Sequence, residues 1–345
     1  MNFLRKIVYP FSLLYGLITN IRNYLYNNNI LKSTKFKTPI IVVGNLSVGG
    51  TGKTPQIEYL IRLLQDNYKV AVLSRGYKRK SKGFIIADEN SSSEIIGDEP
   101  FQYYKKFLNI IVCVDVDRTN AIQQLEALDN APEIILLDDA FQHRKVSVGL
   151  NIVLTSYNDL YVDDIMLPTG NLRENKSGAN RAQIVIVTKC PSTISDKEQL
   201  EIAKKLKLTQ KQSLFFSTIE YNKELQGNLT INLTQFKNKE LVLVTGIANP
   251  KPLVDYLKSM NIHLQHLNFP DHHNFSKNDI NEIKLAVEKI NSNNKIVLTT
   301  EKDYVRIFAE LQNLQFVTIE TKFVAKSSDF DKLIKKYVEQ GSRDS

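Results

Sequence analysis

Eight consecutive residues, Ser47-Val48-Gly49-Gly50-Thr51-Gly52-Lys53-Thr54, carry the groups that hold a nucleoside triphosphate. Glycine-rich backbone can curl around phosphate oxygens and offer them its N–H groups. A lysine adds a point charge for the terminal phosphates, and a threonine hydroxyl can bind Mg²⁺. The run fits the phosphate-loop pattern G-x-x-x-x-G-K-[ST], except that Ser47 stands at the first glycine. Gly49 and Gly50 are expected to supply the missing freedom. A second run, Ile134-Ile135-Leu136-Leu137-Asp138-Asp139, is four apolar residues ending in an acid. That pattern brings a carboxylate to the metal at the tip of a neighbouring strand, so Thr54 and Asp138 are the candidates for placing Mg²⁺. Val48 occupies the position where partitioning ATPases carry a second lysine, which argues against them. Thr188-Lys189-Cys190-Pro191 lacks the carboxylate that reads guanine, so ATP is the expected nucleotide.

Phosphoryl transfer to a hydroxyl also needs a group to take or orient the proton. Candidates are Asp98 in Gly97-Asp98-Glu99-Pro100, Asp139 and His143 beside Asp138, and Asp271-His272-His273. Asp98 could equally cap the helix that follows it. Asp271-His272-His273 could instead bind a metal, although two adjacent histidines are not the usual spacing. Arg75 and Arg118 follow strands, as does Thr300-Glu301-Lys302-Asp303, and arginines there can grip phosphates bidentately or form surface ion pairs.

Short all-apolar runs alternate with helical patterns and must position these groups. The strand candidates are Ile40–Val43, Val70–Leu73, Ile110–Val114, Ile134–Leu137, Leu150–Leu154 and Ile184–Val187; the helices include Thr54–Asp66, Asp117–Ala127 and Asp196–Leu206. This order predicts an α/β fold with a parallel sheet covered by helices on both faces, of the P-loop type. The stretch 215–239 changes to short alternating runs, such as Leu229–Leu233, and reads as a β-paired linker. The α/β alternation then resumes to the C-terminus, including helices Lys302–Leu311 and Ser328–Glu339, with a frayed end at 341–345. The expected organisation is 1–35 as an N-terminal helix, 36–214 as the nucleotide domain, 215–239 as linker and 240–345 as a smaller α/β domain.

The chain of 345 residues carries 45 Lys plus Arg against 37 Asp plus Glu, a formal charge of +8. The excess is uneven: no acid precedes Glu58. In that stretch Leu4, Ile7, Phe11, Leu14, Ile18, Ile21 and Leu25 recur at helical spacing, flanked by Arg5, Lys6, Arg22 and Lys32, with Pro10 expected to kink or interrupt the helix. The run from Ile7 to Ile18 is too short to cross a bilayer and lacks a cleavage site for a signal peptide. Two readings remain, a helix packed on its own protein or an interfacial helix on an anionic membrane, and the acid-free flanks favour the membrane. Cys113 and Cys190 lie in or beside apolar runs and imply no disulfide framework. No basic-aromatic platform supports nucleic-acid binding.

These motifs together resemble the tetraacyldisaccharide 4′-kinase family. The likeness runs in order from Gly44–Pro55 through Leu73–Tyr77, Gly97–Pro100, Asp138–His143, Leu167–Glu174, Phe269–His273 and Thr300–Asp303, with Ala140 where many members have glycine. The resemblance implies transfer of phosphate from ATP to the 4′-hydroxyl of a tetraacylated disaccharide 1-phosphate, in two α/β domains joined by a short β linker. It implies docking on the cytoplasmic face of the bacterial inner membrane, where an acylated substrate resides. It further implies that Lys53 holds phosphates and that Asp98, paired with His272, handles the proton. Asp139, Gln142 and His143 would line the same cleft, and Arg75, Arg118 and Arg173 are candidates for the substrate's phosphate. The alternative is a P-loop ATPase that drives a membrane protein partner.

Overall fold

A computed structural model describes residues 7–227, 230–290, 295–307, 311, 313–325 and 327–343. Contacts divide the chain into two compact units: the first holds 1–219 and 321–345, the second 220–320.

In the first unit the strands are β1 (Ile40–Asn45), β2 (Val70–Ser74), β3 (Ile85–Ile86), β4 (Ile111–Val114), β5 (Ile134–Asp138), β6 (Leu150–Ser156), β7 (Ile184–Thr188) and β8 (Ser213–Tyr221). β1 lies between β5 and β6, parallel to both, with Val43 beside Asp138 and Ile152. β2, β4, β7 and β8 extend the parallel sheet, and β3 is antiparallel to β4. β1, β2, β5 and β7 are buried along their whole length, the mark of a sheet covered on both faces. The helices are α1 (Tyr9–Asn27), α2 (Lys53–Leu64), α3 (Ser93–Ile96), α4 (Asp98–Lys106), α5 (Arg118–Glu126) and α6 (Asp196–Leu206). α6 opens with a capping box between Ser195 and Glu198, and α5 with Asp117 accepting from Thr119 and Asn120.

The second unit contains β9 (Glu224–Gly227), β10 (Ile231–Asn232), β11 (Glu240–Thr245), β12 (His263–Asn268), β13 (Val297–Thr300) and β14 (Leu314–Val317). They form a sheet of order β10-β9-β14-β13-β11-β12, parallel from β14 to β12. Helices α7 (Lys251–Ser259), α8 (Lys277–Glu288) and α9 (Glu301–Ile307) belong to it. Its core is Leu241, Leu243, Leu253, Leu257 and Leu298 on one side and Val242, Val244, Ile280, Ile283 and Ile307 on the other.

The chain then forms β15 (Ile319–Phe323), next to β8 in the large sheet, and α10 (Ser327–Arg343). Three expectations change here. The smaller unit does not run to the C-terminus, because Phe323, Phe330, Ile334 and Val338 are buried with Ile57, Leu60 and Ile61 of α2. Tyr337 clamps the start of β1, its hydroxyl donating to Ile40 O at 3.0 Å and accepting from Ile40 N at 3.1 Å. The stretch 215–239 is not a separate linker: β8 completes the large sheet with Phe215 and Phe216 buried, while β9 and β10 belong to the smaller sheet. Pro10 lies in the first turn of α1, where its missing N–H costs nothing, rather than kinking the helix. Part of the Leu229–Leu233 alternation, the end of the helix expected to Leu311, Leu4, Arg5, Lys6 and the last residues of the expected frayed end lie outside the described residues.

Candidate active site

The loop between β1 and α2 is built by two glycines and by its neighbours. Gly49 (φ 117°) and Gly52 (φ 85°) take left-handed conformations that a side chain would resist. Gly50, expected to share that role, does not; Gly52 does, immediately before the first turn of α2. Lys53 therefore opens α2, and the positive end of the helix faces the loop. Asn45 donates from Nδ2 to Thr51 Oγ1 at 2.9 Å, Val48 N donates to Asn171 O at 2.7 Å, and Thr188 Oγ1 donates to Thr51 O at 2.8 Å. Ser47 bridges Leu172, and Lys189 Nζ donates to Gly50 O. The loop is thus held from β1, from the 166–173 segment and from the end of β7.

Asp138 ends β5 beside it, and Asp139 follows in the turn. Asp138 is 5% exposed. The Tyr103 hydroxyl reaches its Oδ2 at 3.3 Å and also bonds the Thr54 side chain. Burial, then the neighbouring Asp139 charge, pushes the Asp138 carboxyl from 3.8 up to about 7, against the pull of Lys53. Burial would raise Asp139 too, but Lys53 and then Arg173 outweigh it and hold that carboxyl below its ordinary value. Lys53 Nζ is 3.7 Å from Asp139 Oδ2, and Arg173 Nη1 is 2.8 Å from Oδ1. Asp138 Oδ1 is buried with no hydrogen-bond partner among the described residues. An orphaned carboxylate oxygen near a threonine hydroxyl fits the hard-oxygen preference of Mg²⁺.

Asp98 is not the cap of its helix. Gly97 (φ 95°) holds that position and Asp98 is the first residue of α4. Gly97 packs so close to Gly76 that a Cβ on it would meet Gly76 Cα at 3.2 Å, which fastens Gly97-Asp98-Glu99-Pro100 to Ser74-Arg75-Gly76-Tyr77. Arg75 is exposed, while Arg118 is 3% exposed and donates to the backbone of Asp115 and Val116. Burial and then Arg75 lower the Arg118 pKa to about 10, with Asp138 and Asp139 pulling it up; Arg118 belongs to the same charged cluster. Burial and then Arg118 push His143 down to about 4, so its ring is neutral near pH 7 and does not grip an anion as a cation. Gln142 spends its amide on structure: Nε2 donates to Asn45 O at 2.9 Å and Glu174 Oε1 at 3.0 Å.

In the second unit His272 sits at φ 59° after β12, with its backbone N–H on Gly246 O at 3.0 Å. Its ring meets Arg306 Nη2 at Nδ1 (2.9 Å) and Lys302 Nζ at Nε2 (3.0 Å). His273 instead serves the local fold, bonding Asp279 at 3.0 Å and stacking on Phe269.

α1 borders the site with an unusual polarity. Its buried face is mostly small or polar: Ser12, Gly16 and the aromatic Tyr26 are buried, with Tyr15, Thr19, Asn23 and Leu25 half-buried. Ser12 and Thr169 bond each other at 2.6 Å, Tyr15 OH donates to Arg173 O at 2.9 Å, and Asn23 Nδ2 donates to Glu174 Oε2 at 2.9 Å. The apolar stripe points out, with Phe11, Leu14, Ile18 and Ile21 at 64, 56, 58 and 50% exposure.

Sequence reasoning missed Tyr103, Asn45, Glu174 and Lys189 as parts of this site. Asn45, Glu174 and Lys189 lie inside the sequence motifs, but none carries a spacing that reveals its partner. Tyr103 is one helical turn and a little beyond Asp98, too weak a signal alone.

A lysine at the mouth of a phosphate-binding loop, an acid on the adjacent strand and arginines around both are what P-loop kinases use to move a phosphoryl group, and the fold and site place the chain in that class. Residues 4–339 match the family described as Tetraacyldisaccharide-1-P 4'-kinase. The tetraacyldisaccharide 4'-kinase of Flavobacterium johnsoniae is 54% identical over 99% of both chains, and that of Bacteroides thetaiotaomicron is 43% identical over 99% of this chain and 95% of its own. The crystal structure of LpxK from Aquifex aeolicus in complex with ATP superposes with a TM-score of 0.78 at 32% identity, covering 97% of this chain and 99% of that one. The chain belongs to the tetraacyldisaccharide 4′-kinase family.

Proposed function

We infer that the chain transfers the γ-phosphate of ATP to the 4′-hydroxyl of a tetraacyldisaccharide 1-phosphate, giving the 1,4′-bisphosphate in lipid A biosynthesis. Family membership replaces the alternative of an ATPase driving a membrane protein. The observation that carries the chemistry is the Lys53–Asp139–Arg173 cluster beside the orphaned Asp138 oxygen. The loop amides that follow Val48, up to Thr54, and the Lys53 ammonium bind the β- and γ-phosphates. Thr54 and Asp138 are the residues that would hold Mg²⁺, which when bound neutralises charge on the phosphates. Asp139 keeps Lys53 and Arg173 in place. Asp98 receives the proton of the attacking hydroxyl and His272 supports it, the pairing that the family resemblance implies. Arg75, Arg118 and Arg173 supply positive charge toward the substrate's phosphate.

α1 lies on the cytoplasmic face of the inner membrane in this reading. Its apolar face is outward, no acid precedes Glu58, and no described helix is long and apolar enough to cross a membrane. An interfacial helix needs such a face together with basic flanks, here Arg22, Lys32, Lys35 and Lys37.

The test is incubation of the protein with labelled ATP, Mg²⁺ and the lipid disaccharide 1-phosphate in detergent. Label in the lipid supports the reading. Hydrolysis of ATP with no labelled lipid, stimulated by a membrane protein, contradicts it.

A further inference from the structure

We propose that Arg306 is a positioning residue that fixes the tautomer of His272, leaving the ring proton on Nε2. This rests on the reading that His272 takes part in proton handling. Both ring nitrogens face cationic side chains, Arg306 Nη2 at 2.9 Å from Nδ1 and Lys302 Nζ at 3.0 Å from Nε2. A neutral imidazole has one N–H and one lone pair, so it cannot accept from both, and arginine has no acceptor to offer. One contact must therefore define the acceptor nitrogen.

The surroundings decide for Arg306. Its side chain is 6% exposed and bonds the fully buried Asp303 carboxylate one helical turn away, Nη1 to Oδ1 at 3.3 Å. Asp303 Oδ2 in turn accepts from Gly246 N at 2.9 Å and Thr300 Oγ1 at 2.8 Å. Gly246 O receives the His272 backbone N–H at 3.0 Å. Asp303 thus holds His272 by two routes, its main chain through Gly246 and its ring through Arg306. Lys302 is looser, with a side chain 26% exposed and Asp271 Oδ1 at 3.8 Å as a competing acceptor. With Nδ1 occupied by the guanidinium, the proton resides on Nε2, and that edge can donate to a carboxylate. The motif reads Thr300-x-x-Asp303-x-x-Arg306: the threonine and aspartate fix the arginine, and the arginine fixes the histidine.

The direct test is the two-bond ¹H–¹⁵N spectrum of the full chain labelled at histidine, at mildly alkaline pH. The expected pattern is an acceptor-type Nδ1 and a protonated Nε2 for His272, unchanged in Lys302→Ala. Arg306→Lys, which keeps a donor, should retain it. Arg306→Met should lose it and lower kcat at least about tenfold with the KM for ATP within about twofold. A proton on Nδ1 in the unaltered chain, or a switch of tautomer in Lys302→Ala, overturns the proposal even if Arg306→Met fails to fold. Full activity of His272→Ala would instead remove the proton-handling reading while leaving the tautomer assignment standing.

Discussion

Lys53 Nζ lies 3.7 Å from Asp139 Oδ2, while the other oxygen of that carboxylate takes Arg173 at 2.8 Å. One acid therefore aligns the loop lysine and an arginine that arrives from a segment more than a hundred residues away in sequence. Asp139→Asn keeps the shape and removes the charge. Steady-state kinetics should show a kcat lower by about 10²–10³-fold, the usual loss on removing one preorganised electrostatic contact. A loss smaller than about threefold would show that Lys53 needs no such anchor.

The two neighbouring acids respond to pH in opposite senses. Asp138 is raised from 3.8 to about 7, so between those values the native state binds more protons than the unfolded chain and stability falls as pH rises. Asp139 is lowered; its contribution is present above 3.8 and lost on acidification through its native value. Urea unfolding of the metal-free chain should therefore show a drop in stability from about pH 5 to about pH 8 that Asp138→Asn reduces. Identical slopes for the two proteins would remove the raised carboxyl.

Glu174 is 3% exposed and gathers α1, Gln142 and Arg181: it accepts from Asn23, from Gln142, and from Arg181 through both oxygens at 2.8 Å. Glu174→Ala strands the Arg181 guanidinium and should cost about 3–5 kcal/mol of stability in denaturant titration. A cost below about 1 kcal/mol would mean that the network is replaceable by water.

How far the chain was legible from its sequence differs by element. β1, its loop and α2 were readable because a continuous apolar run, glycines and a lysine each have one physical meaning at that spacing. The carboxylate that ends β5 was readable for the same reason. The destination of α10 was not. Its apolar residues give a helix, yet nothing local says that Phe330, Ile334 and Val338 meet Ile57 and Leu60 rather than the sheet that precedes them in sequence. α1 shows a further limit: the apolar stripe was correct, but periodicity alone does not say whether a stripe faces in or out. The answer lay in Ser12, Gly16 and Asn23, small and polar residues that bury themselves by hydrogen bonding to the 166–174 segment and by close approach to Met166.

The outward face of α1 gives a separable test. Leu14 and Ile18 are 56 and 58% exposed, so Leu14→Glu with Ile18→Glu should leave ATP binding intact. Sedimentation with anionic phospholipid vesicles should show binding weaker by at least about tenfold. Unchanged sedimentation would exclude this face as the docking surface.

Transfer from ATP to a lipid hydroxyl with Asp98 receiving the proton is read out by the turnover of Asp98→Ala beside the unaltered chain, with labelled ATP and the disaccharide 1-phosphate in mixed micelles. The unaltered chain should label the lipid, and Asp98→Ala should lose about 10²–10⁴-fold in kcat with the KM for ATP nearly unchanged. Near-normal kcat in Asp98→Ala would contradict that role for Asp98.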